Sequence, residues 1–256
     1  MNKTFLVSRF SFLVLVLVAV VAQGQDARQI VAESQKRGLS KSQRYEGTLE
    51  VIGSGNKISL KRWMFERIGA YGASKSILRF TAPAEVKGVA LLIVNHEDRA
   101  SDQWMWTPAL ERDRRIALQD RSTRFFGTDF SFEDLEERDV NQFDYKLVGE
   151  ETFDGQPCWK IESKPKEGKS SQYTSSVMMI RKDNYVVIQI ENFAKDKLVR
   201  RIHYNDVQQQ DGIWVGRTME VLDANRGSRT VLKLEKLQYN VPMKDESFTL
   251  EALRRG

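Results

Sequence analysis

The chain has 256 residues, 41% hydrophobic and 29% charged, with a formal net charge of +5. Its single cysteine, Cys158, excludes an intramolecular disulfide and a multi-cysteine metal site, so stability must come from a core, which a chain of this length can build. The arginines between residues 112 and 124 are interleaved with Glu111, Asp113 and Asp120 and form no solid basic block, which argues against a nucleic-acid partner.

At the N-terminus, Lys3 and Arg9 precede an apolar run from Phe10 to Val21, followed by the small-residue sequence Ala22-Gln23-Gly24. This is the pattern of a secretory signal peptide over residues 1–24, with cleavage before Gln25. A run of about twelve apolar residues falls short of the roughly twenty a membrane helix needs. No cysteine lies near the cleavage site, so there is no lipobox, and the mature chain is expected to be a soluble periplasmic protein. Cleavage removes two positive charges, which leaves the mature surface less basic than the whole chain. No Pro/Gly/Ser-rich linker and no fixed-period repeat divides residues 25–256, so one domain is expected there.

The mature chain opens with Ala27, Ile30, Val31 and Ala32 at the spacing of one helix face, ending at Gly38. From Arg44 the period changes. Tyr45 to Ile52, Lys57 to Ile68 and Lys75 to Thr81 are rich in β-branched and aromatic residues and are broken by Gly-rich turns, the marks of an antiparallel meander. Residues 85 to 94 read either as a helical turn or as the approach to a buried strand. Asp102 to Thr107 and Arg112 to Leu118 then form a strand pair around Pro108, and Ser131 stands three residues ahead of Asp134 as in a capping box, so a short helix is predicted from that serine.

Alternation is clearest in the second half: Trp159/Ile161, Ile188/Ile190, Ile202/Tyr204 and Leu232/Leu234 each flank a polar residue. Turns are predicted at Asp154-Gly155, Lys182 to Asn184, Ala194 to Asp196, Asp211-Gly212 and Asn225 to Gly227. A sheet of about ten or eleven strands must curl, split or close. The two helices are the available covers. The expected fold is therefore mainly β with some α, an incomplete and strongly curved antiparallel β-barrel covered by a few helices, with an apolar hollow left inside.

Catalytic constellations are sparse. His96 and His203 lie far apart in the sequence and outside any recognisable motif; His96 fits a surface turn and His203 the polar side of a strand. There is no nucleophile elbow, P-loop, dinucleotide fingerprint or H-E-x-x-H, and Gly53 to Asn56 reads as a hairpin turn. Cys158 fits a small packing residue in a strand. No enzyme activity, cofactor or metal is expected.

One stretch carries more than its composition: Asp102-Gln103-Trp104-Met105-Trp106-Thr107-Pro108, then Arg114-Arg115, then Gly127-Thr128-Asp129-Phe130-Ser131-Phe132-Glu133-Asp134-Leu135. Together with Lys87 to Leu92 and Met178 to Tyr185, it resembles the outer-membrane lipoprotein-sorting protein family, the LolA-like group. The resemblance implies an incomplete barrel of the LolA/LolB kind whose hollow takes acyl chains of a lipoprotein or lipid. It also implies exchange with an inner-membrane transporter or an outer-membrane acceptor. The missing lipobox is more similar to the soluble carrier than to the anchored receptor.

On chemical grounds, Trp104 and Trp106 share a strand face and are candidates to line the hollow, although such a pair also suits ordinary barrel core. Phe125 and Phe126 are candidates for lipid contact in a loop, or for a hydrophobic anchor. Arg114 and Arg115 are candidates for contact with an anionic head group or a partner; being adjacent, only one of them can point at the mouth. The alternative to a carrier is a non-enzymatic accessory or scaffold protein of an envelope transport complex, using the same curved sheet to bind protein.

Overall fold

The computed structural model describes residues 26–255, so the segment read as a signal peptide lies outside the described residues. The first element is helix α1 (Ala27–Arg37). Asp26 caps it by accepting the Arg28 amide at 3.3 Å, and the Gly38 amide closes its other end on the Ser34 carbonyl. Lys36 and Arg37 place positive charge at the negative end of the helix dipole. The buried stripe Ala27, Ile30 and Val31 faces the sheet as its spacing requires.

Six strands follow: β1 (Ser42–Ile52), β2 (Ile58–Ile68), β3 (Lys75–Ala82), β4 (Ala90–Val94), β5 (Asp102–Thr107) and β6 (Arg112–Arg115). After a 27-residue connection, 116–142, come β7 (Phe143–Phe153), β8 (Gln156–Pro165), β9 (Ser175–Arg181), β10 (Val187–Ala194), β11 (Lys197–Gln210), β12 (Ile213–Asp223) and β13 (Ser228–Tyr239). All thirteen belong to one antiparallel sheet in the order β6-β5-β4-β3-β2-β1-β13-β12-β11-β10-β9-β8-β7. The chain thus meanders from the centre to one edge, crosses to the opposite edge, and meanders back until β13 pairs with β1.

Laid flat, such a sheet would measure about 60 Å across at the usual strand spacing. Instead, Leu49 on β1, Phe80 on β3, Ile161 on β8, Ile190 on β10 and Val221 on β12 contribute to one contiguous buried cluster with α1. Side chains from so many strands meet only if that face is concave. The sheet is an open, curved barrel, as the twist of a long antiparallel sheet dictates. Among the described residues it has thirteen strands where about ten or eleven were expected. The edge strand β7 shows why such strands are hard to count: most of its side chains are exposed or half-exposed, so its apolar alternation is faint.

The connection 116–142 lies across the concave face and explains the long motif in the sequence. Ile116, Phe125, Phe130 and Phe132 enter the core. Gly127 takes the left-handed φ of +74° that turns the chain between them. Asp129 then bonds Ser228 and Thr230 on β13, and Asp134 takes an ion pair from Arg200 on β11 at 2.6 Å. Ser131 and Asp134 exchange hydrogen bonds in capping-box fashion, the Ser131 amide reaching the Asp134 carboxylate at 2.7 Å and the Asp134 amide reaching Ser131 Oγ at 3.3 Å. The predicted helix is nevertheless only a 3-10 turn, Glu133–Leu135, because Glu136 leaves it in an extended conformation. Its carboxylate engages Arg121 at 2.8 Å and Gln103 at 2.7 Å.

The opposite face has a cover that sequence patterning does not suggest. A 3-10 turn at Asp245–Phe248 and a short helix α2 (Leu250–Arg254) place Phe248 and Leu253 against Ile77, Ala90 and Leu92. Arg79 fixes this segment by donating to the Ala252 and Leu253 carbonyls at 3.2 and 2.9 Å.

Candidate functional site

The concave face is not filled completely. Beneath the C-terminal end of α1 lies a hollow of about 340 Å³, walled by Tyr45 of β1, Phe65 of β2, Tyr204 of β11 and Val215 and Met219 of β12, with Trp214 among its lining residues. A second chamber of about 250 Å³ lies toward β7 and β10, and the two share Ser34, Tyr71, Val187 and Tyr204. Ligand sites are typically clefts of roughly 300–1,000 Å³ lined mainly by apolar and aromatic groups with a few polar ones; the first chamber falls in that range and the second just below it.

Strand parity puts these rings inside. Trp63 and Phe65 occupy the inward row of β2, and Phe65 stacks on Tyr45 with centroids 4.9 Å apart. Glycine makes room for them: a Cβ on Gly47 would sit 2.2 Å from Trp63 Nε1, and one on Gly216 would sit 2.9 Å from Tyr204 Cβ. Burial holds the Tyr45 phenol well above its ordinary range and pushes Tyr204 up to about 12, so both remain neutral hydroxyls. Where α1 ends, the Arg37 guanidinium lies over the Tyr185 ring, 4.1 Å from its centroid. The first chamber is therefore an aromatic, uncharged cleft with a cation at its rim.

The second chamber is more polar. Arg138, Lys169 and the acidic run Glu133, Asp134, Glu136 and Glu137 line it together with Phe143, Met178 and Ile190. α1 is held over both chambers through the connection: Arg28 donates to the Asn141 side chain at 2.6 Å, and the Val140 amide donates to Gln35 Oε1 at 3.2 Å.

The residues singled out from sequence separate into different places. Trp104 and Trp106 pair with Leu92 and Ala90 and pack in the cluster under the C-terminal segment, on the face away from the hollow. The expectation that they line the hollow is corrected by parity: Met105, between them, is the inward residue of β5. Phe125 is a core anchor, 0% exposed and stacked on Phe80 with centroids 5.3 Å apart. Phe126 is half-buried at 5.9 Å from the same ring, and neither phenylalanine borders the two chambers.

Arg115 shares the Trp104 side, bonding Asp102 with its guanidinium carbon 5.9 Å from the Trp104 ring. Arg114 is exposed on edge strand β6, opposite Met105 and thus on the concave side. The two histidines are engaged by carboxylates, His96 with Asp102 at 3.0 Å and His203 with Asp154 at 2.6 Å. Cys158 packs beside Met179 and Ile188, where burial raises its thiol pKa.

Tyr45, Phe65, Tyr204, Arg138 and Lys169 escape a reading based on local motifs. Tyr204 carried a usable signal in its alternation with Ile202. The others come from strands and loops far apart in sequence and meet only through the curl of the sheet.

A family model described as that of an uncharacterized protein matches residues 72–255. No curated protein matches the chain. Among solved structures, a domain from Vibrio parahaemolyticus with the provisional name of outer membrane lipoprotein-sorting protein superposes with a TM-score of 0.84 at 24% identity, covering 90% of this chain and 98% of that one. A DUF1329 family protein from Desulfovibrio piger gives a TM-score of 0.85 at 28% identity over 89% of this chain and 97% of that one. A LolA superfamily protein from Nitrosomonas europaea gives 0.72 at 17% identity over 90% and 100%. The open curved barrel is thus of the LolA type.

Proposed function

We propose that this chain, which belongs to the uncharacterized-protein family whose model it matches over residues 72–255, takes acyl chains of a lipoprotein or lipid into the hollow beneath α1 and carries them across the periplasm. The observation that carries this reading is the aromatic cleft between α1 and strands β1, β2, β11 and β12, left unfilled in a protein of LolA-type fold. Each methylene moved from water into such a cleft contributes roughly 0.8 kcal/mol. A chain of ordinary length therefore supplies enough binding energy without a covalent step. An open barrel with a helix over its mouth exposes part of the ligand, which keeps transfer to an acceptor thermodynamically accessible.

The proposed route begins with an inner-membrane donor or transporter and ends at an outer-membrane acceptor, with the protein acting as the soluble intermediary. Its N-terminal sequence pattern supports export to that compartment.

The test is uptake of a fluorescent acyl probe by residues 25–256. Tyr204→Asp, at a residue bordering both chambers, is expected to abolish uptake while far-UV circular dichroism is retained. Leu60→Asp, on a side chain 63% exposed and outside both chambers, is expected to leave uptake unchanged. Uptake insensitive to Tyr204→Asp, or absent from the unsubstituted protein, would count against the carrier and favour a scaffold that binds protein on the curved sheet.

A further inference from the structure

The second chamber has a charge arrangement that an apolar ligand alone does not use. Its carboxylates are already committed to protein groups. Glu133 accepts from the Gln172 amide at 2.8 Å and from Ser171, and Asp134 from Arg200 at 2.6 Å and Tyr173 at 2.7 Å. Glu136 takes Arg121 at 2.8 Å, and Glu137 takes Arg67 at 3.3 Å and Ser74 at 2.5 Å.

The two remaining cations have no such partner. Among the described residues, neither Arg138 nor Lys169 has a carboxylate within ion-pair distance. Arg138 donates only to hydroxyls, Ser176 at 3.3 Å and Ser163 at 3.2 Å, and Lys169 donates to the Gln142 side-chain oxygen at 2.6 Å. Both approach the same ring: the Arg138 guanidinium is 4.4 Å and the Lys169 ammonium 5.2 Å from the Phe143 centroid. Burial lowers the pKa of each below its usual range, the direction expected of cations that have lost water without gaining a full counter-charge. An arginine uses five N–H donors when satisfied, so Arg138 has donors to spare.

We infer that the second chamber receives the oxyanion head, a carboxylate or a phosphate, of an acyl-chain ligand, held by Arg138 and Lys169 while the chain lies in the adjoining aromatic chamber. This rests on the carrier reading and narrows it to acidic lipids over neutral ones. Charge-assisted bonds to a guanidinium in a water-poor site are the stronger class of hydrogen bond, and a neutral alcohol of the same length forgoes them.

The experiment is calorimetric titration of residues 25–256 with laurate, with dodecanol and with inorganic phosphate, near neutral pH. Laurate is expected to bind about tenfold more tightly than dodecanol, and inorganic phosphate without a chain to bind far more weakly than either. Lys169→Gln and Arg138→Gln should each shrink the ratio of laurate to dodecanol affinity toward one. Arg138→Lys should restore part of it, which a purely structural role for Arg138 would not produce. Lys169→Gln serves as the test should loss of the Arg138 ties to Ser163 and Ser176 impair folding.

Equal binding of laurate and dodecanol overturns the inference and leaves the carrier reading standing. Phosphate alone binding as tightly as laurate also overturns it, making the chamber a free-anion site. If neither chain binds, the carrier reading itself fails and the inference falls with it.

Discussion

Thr230 Oγ1 donates to the Asp129 carboxylate at 2.8 Å and accepts from the Asp129 amide at 2.9 Å, with both residues 0% exposed. This reciprocal pair fastens the middle of the edge-to-edge connection to β13. Ser228 Oγ donates to the same carboxylate at 2.6 Å and Arg124 pairs with it at 2.8 Å, so the buried charge is fully engaged. Removing the carboxylate strands the two buried hydroxyl donors, while Arg124 keeps its bonds to the Gly127 and Thr128 carbonyls. Asp129→Ala is expected to cost about 3 kcal/mol in urea unfolding, and Thr230→Val about 1–2 kcal/mol. A cost under about 0.5 kcal/mol for Asp129→Ala would show that the connection is held by its phenylalanines alone.

Gly47 should resist even the smallest side chain. A Cβ there meets Trp63 Nε1 at 2.2 Å and Leu232 Cδ1 at 2.8 Å, and the indole sits too deep in the core to swing away. Alanine gains some backbone entropy, but overpacking is expected to win, so Gly47→Ala lowers stability by about 1–3 kcal/mol. Thermal unfolding followed by tryptophan emission checks it; an unchanged or raised midpoint would mean that the Trp63 site is looser than its distances indicate.

Asp102 carries an acid sensitivity of known sign. Hydrogen bonding from Arg99, reinforced by Arg115 and His96, holds its carboxyl well below the usual carboxylate range against the opposing effect of burial. A lowered folded pKa means that the stabilisation is fully present above the unfolded value of about 3.9 and is lost as pH falls from there toward the folded value. Asp102→Asn should therefore reduce stability at neutral pH and flatten the acid limb of the stability curve. Parallel curves for the two proteins below pH of about 4 would contradict this.

The two sheet faces should separate experimentally. Leu253 of α2 is fully buried against the convex-side cluster that includes Trp104 and Trp106. Leu253→Ala is expected to cost about 3 kcal/mol while leaving acyl-probe affinity unchanged. Trp214, 41% exposed and bordering the first chamber, should behave in the opposite way. Trp214→Ala is expected to leave stability nearly unchanged and to weaken probe binding about fivefold. The reverse pattern would place the ligand on the other face.

Much of the fold was legible because its signals are local. The stripe of α1, the turns at Asp154-Gly155 and Asp211-Gly212, and the alternation around Ile161 and Ile202 each depend on a few neighbouring residues. The Gly127 to Leu135 motif was visible as a pattern, while its purpose was not: Asp129 and Asp134 are pins whose sockets, Thr230 and Arg200, lie far along the chain. The site was less legible still. Trp104 and Trp106 stood out by composition, yet the direction a strand face points is fixed by register with β4 and by the C-terminal cover, neither of which five or six residues encode. Tyr45, Phe65 and Tyr204 looked like ordinary strand aromatics until the sheet curled them around one space.

A carrier of the proposed kind holds an acyl chain in this space in the cell. Native mass spectrometry of residues 25–256, purified from a bacterial periplasm without detergent and followed by organic extraction of the bound fraction, tests it most directly. A stoichiometric lipid or lipopeptide adduct, lost in Tyr204→Asp, is the predicted result. A protein that emerges at its bare mass and takes up no fluorescent acyl probe would contradict it.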